Sequence, residues 1–96
     1  MAPYRLTNEA VSDLIRIHHY GSTKFGVIQA DKYFNNFYEY FELIAQRPLA
    51  FNSVDEISTD CRRCPCGADS IFYTYLDGIV EIVAIVGSQD LDGIFN

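Results

Sequence analysis

Ser70-Ile71-Phe72-Tyr73-Thr74-Tyr75-Leu76-Asp77-Gly78-Ile79-Val80-Glu81-Ile82-Val83-Ala84-Ile85-Val86 decides the fold class. Two β-branched and aromatic runs are separated by Asp77-Gly78 alone. Such side chains suit the half-buried surface of a pleated sheet. An Asp-Gly connection favours a type I′ turn, because both central residues must take φ > 0. The stretch therefore reads as a hairpin of strands Ser70 to Leu76 and Ile79 to Val86. The near-continuous apolar content of Ile82 to Val86 marks a central strand buried on both faces. Upstream, Cys61 to Pro65 has strand character, and residues 49 to 60 read as a polar, acidic loop (Asn52, Ser53, Asp55, Glu56, Asp60).

The N-terminal half carries the other periodicity. Residues 3 to 6 alternate briefly, which predicts a short first strand. Thr7 suits a helix N-cap, since its hydroxyl can accept an unpaired N–H of the first turn, and Glu9 suits the positive end of the helix dipole. Val11, Leu14, Ile15 and His18 recur at i, i+3, i+4, i+7, the spacing of one buried stripe. Gly21-Ser22 and Gly26 predict an end near Tyr20 to Phe25. In a second helix Ala30, Tyr33, Phe34, Phe37, Tyr38, Phe41, Ile44 and Ala45 form an aromatic stripe. Asp31, Lys32, Asn35, Asn36, Glu39, Glu42 and Gln46 fill the opposite side. Arg47 suits the last turn and Pro48 blocks continuation. Two helices joined by a short Gly-containing turn make an antiparallel hairpin. The fold class is α+β: a helical hairpin packed on a small antiparallel-rich sheet, in the order β-α-α-β-β-β.

Length and composition agree. The 96 residues are one domain's worth, without repeats or linker-like tracts, so residues 1-96 read as a single domain. Apolar residues make up 49% and charged residues 21%, which excludes a disordered chain. The longest uncharged apolar run, Ile82 to Gly87, is far short of the ~20 residues of a bilayer span. The start Met1-Ala2-Pro3-Tyr4-Arg5 lacks the pattern of a secretory signal, so the expected location is the cytoplasm. Seven basic against 13 acidic residues give a net charge of −6, and a surface of that sign repels phosphate. Direct nucleic-acid or membrane binding is therefore not expected.

Catalytic and metal patterns are weak. Cys61, Cys64 and Cys66 sit too close for a disulfide framework and are expected as reduced thiols. Structural zinc wants four ligands, commonly as two separated pairs, and a second pair is absent. A cysteine nucleophile needs an electropositive neighbour; Arg62 and Arg63 adjoin, but strand alternation points them to opposite faces. His18 reads as core-facing and His19 as solvent-facing, with Asp13 badly spaced to orient either. No cofactor, metal or catalytic constellation is expected. Arg62-Arg63 reads either as a solvated or salt-bridged sheet edge or as a local anion or acidic-partner contact.

Taken in order, the residues resemble the RelE/ParE toxin superfamily of bacterial toxin–antitoxin modules. They run from Tyr4-Arg5-Leu6-Thr7 through Ala10 and Asp13-Leu14 to Phe25-Gly26, Gln29-Ala30 and Leu43-Ile44-Ala45 with Pro48. Then come Arg62-Arg63, Pro65, Gly67, Ile71-Phe72-Tyr73, Asp77-Gly78, Val80-Glu81-Ile82-Val83 and Val86-Gly87-Ser88-Gln89-Asp90. The match spans roughly residues 3 to 91 and implies the same helical-hairpin and sheet fold. The superfamily's RelE-like branch resembles ribosome-dependent messenger-RNA endonucleases that use basic residues and often a C-terminal Tyr. Here Ser70, Gly87-Ser88-Gln89 and Phe95 stand where that branch tends to carry Arg, Arg or Lys, and Tyr. The chain is more similar to the ParE branch, whose members inhibit DNA gyrase and stall replication by binding, not by catalysis.

That resemblance implies a toxin neutralised by a cognate antitoxin, ParD-like or another small, partly disordered chain, with a higher-order hetero-oligomer possible. Ribosome-dependent RNA cleavage, and a degenerate toxin that only binds antitoxin, are the alternatives. A helical hairpin beside a sheet offers an apolar groove for an amphipathic helix, and an open sheet edge can accept an added strand. The groove is expected between the solvent-side rims of the helices, the edge near the first strand. Tyr20, Phe25, Tyr38 and Tyr40 are candidate partner-facing aromatics, since fourteen aromatics exceed what one small stripe must bury; core or rim packing is the other reading. Arg62, Arg63, Gln89 and Asp90 complete the antitoxin- or target-binding set.

Overall fold

The computed structural model describes residues 4–54 and 60–87. Its elements are β1 (Tyr4–Leu6), α1 (Asn8–Phe25), α2 (Val27–Gln46), β2 (Asn52–Ser53), β3 (Cys61–Cys66), β4 (Asp69–Leu76) and β5 (Ile79–Gly87). The strands form one sheet in the order β1-β5-β4-β3-β2. β1 runs parallel to β5, with Tyr4 opposite Val80 and Leu6 opposite Ile82. The other pairings are antiparallel. The predicted order holds, with one addition. β2 is a two-residue polar strand pairing Asn52 with Arg63 and Ser53 with Arg62, too short and too polar to show a period.

Local chemistry explains the element ends. Thr7 caps α1 as expected: its Oγ1 accepts from the Ala10 N–H at 3.1 Å and donates to the Val83 carbonyl at 2.7 Å, tying the helix start to the sheet. Gly26 alone joins the helices. Its φ of +93° suits glycine, and its N–H donates to Ser22 O while its carbonyl accepts from Ala30 N. α2 stops at Gln46 because Arg47 precedes Pro48 and leaves the helical region, at φ −137°, ψ 66°. At the β4–β5 turn Asp77 has φ 53° and Gly78 φ 78°, the type I′ signature.

Both helices cover one face of the sheet. The main core joins Ala10 and Leu14 of α1, Phe37, Phe41 and Ile44 of α2, and Cys64, Cys66, Ile71, Tyr73, Val80, Ile82 and Ile85 of the strands. Burying a Phe or Ile here contributes about 1.5–3 kcal/mol each, so the aromatic α2 stripe anchors the fold. On the other face Cys61 and Phe72 form a second cluster with Val54 and Val86 packed against it. β5 is an interior strand, between β1 and β4, but it is buried on its helix side only and not on both faces as expected. Its helix-side residues Ile82 and Ile85 are fully buried, whereas Val83, Ala84 and Val86 are only half-buried. A register shift between Phe72 and Tyr73 interrupts the β4–β5 pairing.

The stripe expected on α1 is rotated. Val11 and Ile15 are 44% and 63% exposed, and the buried line is Ala10 and Leu14, continued by half-buried Ile17. Gly21 extends that line without ending the helix: a Cβ there would stand 3.4 Å from the Ala30 Cβ, so its bare face lets the helices approach. His18 is accordingly not in the core. It lies on the helix–helix seam, its Nε2 2.7 Å from Asp31 Oδ1 and its ring edge-on to Phe34 at 5.5 Å. His19 is exposed, as expected.

Candidate functional site: a cavity under the helical hairpin

A cavity of about 850 Å³ opens between the hairpin tip and one end of the sheet. α1 contributes Arg16, Ile17, Tyr20 and Gly21, and α2 contributes Gln29, Ala30, Tyr33 and Phe34. The β3–β4 turn adds Ala68 and Asp69, and Gly87 ends β5 at its wall. A smaller hollow of about 520 Å³ lies on the outer seam, between Ile15, His18, Ser22 and Phe34. The expected solvent-side groove corresponds to that hollow; the larger cavity faces the sheet instead.

Tyr33 sets the floor. Its hydroxyl is 2.6 Å from Asp69 Oδ2 and 3.0 Å from the Cys66 carbonyl, sharing its proton between them. Burial, then the hydrogen bond and charge of Asp69, push this phenol far above its usual range, so it stays a neutral donor. The turn beneath needs Gly67. Its φ is +60°, and a Cβ there would fall 2.9 Å from the Tyr33 ring and hydroxyl. One backbone position thus holds both the turn and the aromatic wall.

Tyr20 and Phe25 form the outer lip and are 59% and 64% exposed. Lys24 bridges them: its Nζ donates to Tyr20 Oη at 3.0 Å and lies 5.5 and 5.8 Å from the two ring centres. Val27 and Ile28, beyond Gly26, are also exposed. An aromatic, largely apolar surface with a few polar groups and two cations at its rim has the make-up of a protein-contact site.

The other expected residues lie elsewhere. Tyr38 packs on Phe34 and Phe41 at 5.4 and 5.3 Å, and Tyr40 is half-buried against the main core. Arg62 sits opposite Tyr73 on the helix side and donates through Nη1 to the Phe51 carbonyl at 2.7 Å. Arg63 sits opposite Phe72 on the other face, its Nε donating to Ser70 Oγ at 2.9 Å. The two arginines therefore form no single basic patch. Gln89 and Asp90 lie outside the described residues. Tyr33, Phe34, Arg16, Gln29 and Asp69 were not singled out as site residues. Tyr33 and Phe34 were hidden inside a stripe that reads as core, and Tyr33 meets Asp69 across 36 residues of sequence.

The cysteines divide by strand alternation. Cys64 and Cys66 face the helices and Cys61 the opposite side. Burial raises the thiols of Cys64 to about 11 and Cys66 to about 12, so both are protonated near neutral pH and poor nucleophiles. Among the described residues no three His, Cys, Asp or Glu side chains gather as metal ligands, and no helix is long and apolar enough to cross a membrane.

Comparison with known proteins gives this surface a context. The sequence profile of the ParE toxin of the type II toxin–antitoxin system parDE matches residues 4–91. Toxin ParE1 of Caulobacter vibrioides is 33% identical over 87 residues, covering 90% of this chain and 88% of that one. A chain from the structure of a chromosomal ParDE toxin–antitoxin system from P. aeruginosa superposes with a TM-score of 0.79 at 17% identity, over 91% of this chain and 96% of that one. The last shows shared fold alone; the profile and the Caulobacter relative carry the assignment, and on them the chain belongs to the ParE toxin family of type II toxin–antitoxin systems.

Proposed function

We propose that the chain is a cytoplasmic toxin that stops growth by binding DNA gyrase and is neutralised by an antitoxin segment seated against the helical hairpin. The observation that carries the antitoxin half is the cavity of about 850 Å³ with exposed Tyr20 and Phe25 at its lip. An amphipathic helix can bury its apolar face there, and Tyr-rich lips are common at such contacts. Among the described residues β1 pairs only with β5, and its other edge offers main-chain groups for an added strand. With a net charge of −6, the chain should hold an acidic antitoxin mainly through apolar contact.

Family membership supports gyrase as the target, and the site chemistry favours binding over catalysis. RNA cleavage needs cations converging on one phosphate, whereas Arg62 and Arg63 occupy opposite faces and each is engaged by a neighbour. The test uses purified protein and gyrase. Added in excess, the chain should inhibit supercoiling and trap cleaved DNA; unchanged supercoiling with no trapped cleavage refutes the target.

A further inference from the structure

We propose that the outer seam of the helical hairpin, away from the sheet-facing cavity, is the toxin's target-facing surface and takes a basic amphipathic helix of the target protein. The first argument is shape. Ile15 of α1 and Phe34 of α2 line one hollow of about 520 Å³. Val11 lies one turn before Ile15, and Tyr38 lies one turn after Phe34 with its ring 5.4 Å away; both are exposed. Because the two helices run antiparallel, Val11 and Tyr38 extend the apolar line in the same direction. His18, Ser22 and Asp31 continue the seam the other way, toward the hairpin tip. From Val11 to Ser22 it measures about 16 Å at 1.5 Å per residue, the length of three helical turns. A groove of that length and character suits a helix presenting anchors at i, i+3 or i+4, and i+7.

The second argument is charge. Asp31 marks one end of the seam: its Oδ1 is 2.7 Å from His18 Nε2, and its side chain is 59% exposed. Glu42 marks the other, one turn beyond Tyr38, where its charge adds to burial in raising the Tyr4 phenol. Asp31, Tyr38 and Glu42 stand at i, i+7 and i+11, on one face of α2. The lining of the hollow includes no Lys or Arg. Ser22 Oγ, in that lining, is buried without a hydrogen-bond partner among the described residues. A Lys or Arg of an incoming helix matches these groups: its N–H donates to Asp31 and Ser22 Oγ, and its stem lies on Ile15 and Phe34. A second copy of this chain fits worse, since it brings a further net charge of −6 and its own Asp31 and Glu42 to the same seam. An acidic antitoxin meets the same repulsion.

The occupant's identity rests on the reading of the chain as a toxin with a protein target; the test separates the seam from the name of that target. Asp31→Lys and Ile15→Lys, both at exposed positions, are made in the full chain. The control is Glu39→Lys, the same charge change as Asp31→Lys on the other flank of α2, beside Lys32 and Asn36. Both seam variants should lose at least ~10-fold in gyrase inhibition and fail to arrest growth on expression, with antitoxin affinity within about threefold of wild type. Their far-UV circular dichroism should be unchanged, and Glu39→Lys should match wild type throughout. Asp31→Asn, which keeps a polar partner for His18, guards against a folding defect and should fall between wild type and Asp31→Lys. Seam variants as inhibitory and toxic as wild type, a loss shared by Glu39→Lys, or antitoxin affinity lost in step with toxicity would each overturn the proposal. So would a wild type that neither inhibits gyrase nor arrests growth. A wild type that arrests growth without inhibiting gyrase refutes gyrase alone, and the growth of cells expressing the seam variants then decides the seam.

Discussion

Gly67→Ala is the most informative single substitution, because two separable penalties meet there. The backbone at 67 is left-handed, at φ +60°, and the new Cβ would stand 2.9 Å from Tyr33. Gly78 supplies the control: it has φ +78° with nothing within 4 Å of its Cβ position. Left-handed backbone costs a non-glycine residue roughly 1–2 kcal/mol, partly offset by about 0.4–1 kcal/mol of lost unfolded-state entropy. Gly78→Ala should therefore destabilise by about 1 kcal/mol. At 67 the Tyr33 ring must also move, and its hydroxyl loses a 2.6 Å bond to a carboxylate, worth about 1.5–3 kcal/mol. Gly67→Ala should cost about 3 kcal/mol, lowering Tm by on the order of 10–20 °C in a chain of this size. Urea unfolding of Gly67→Ala, Tyr33→Phe and the double variant measures the coupling. The double should lose clearly less than the sum of the singles, since either change already breaks the Tyr33–Asp69 bond. Equal losses at 67 and 78, or strict additivity with Tyr33→Phe, would refute the clamp.

Alkaline pH should weaken the fold through Tyr73, whose buried phenol is pushed up to about 12, mainly by burial. A raised phenol contributes stability that is whole below the unfolded value of 10 and lost as pH rises toward 12, roughly 2 kcal/mol by then. Cys64 and Cys66 act with the same sign from pH 9 upward. Tyr73→Phe loses the 2.7 Å bond to the Pro48 carbonyl, about 1 kcal/mol, yet escapes the ionisation. It should be less stable than wild type at pH 8 and more stable at pH 12; denaturation curves that keep their order across that range would disprove the assignment. Tyr20→Asp with Phe25→Asp, both exposed, should leave Tm within a few degrees while weakening antitoxin binding at least ~100-fold, read as lost rescue on co-expression. Arg62→Ala and Arg63→Ala should leave toxicity in place with messenger RNA uncut in primer-extension assays; abolished toxicity with cut RNA in the wild type would restore the nuclease reading.

Much of the fold was legible because it is written in local periods. The Asp77-Gly78 hairpin, the Thr7 cap, the aromatic stripe of α2 and its stop at Pro48 each follow from a few adjacent residues. α1 was harder. Val11, Leu14, Ile15, His18 and Ala10, Leu14, Ile17, Gly21 both fit a helical stripe and share Leu14. The true buried line contains an Ala and a Gly, whose small size suits close packing but adds little hydropathy. Strand alternation correctly separated Arg62 from Arg63. The cavity was not legible, since Tyr33–Asp69 and Gly67–Tyr33 are long-range contacts that no local pattern marks. The surplus of aromatics points to Tyr20, Phe25, Tyr38 and Tyr40 alike; the structure leaves the first three exposed and half-buries Tyr40 against the core.

Controlled expression in growing cells tests the central claim most directly, with growth, the DNA-damage response and messenger-RNA integrity read together. A gyrase-binding toxin predicts arrest with an induced damage response, uncut messages, and relief by co-expressed antitoxin. Arrest accompanied by codon-linked message cleavage and no damage response, or unimpaired growth, would contradict it.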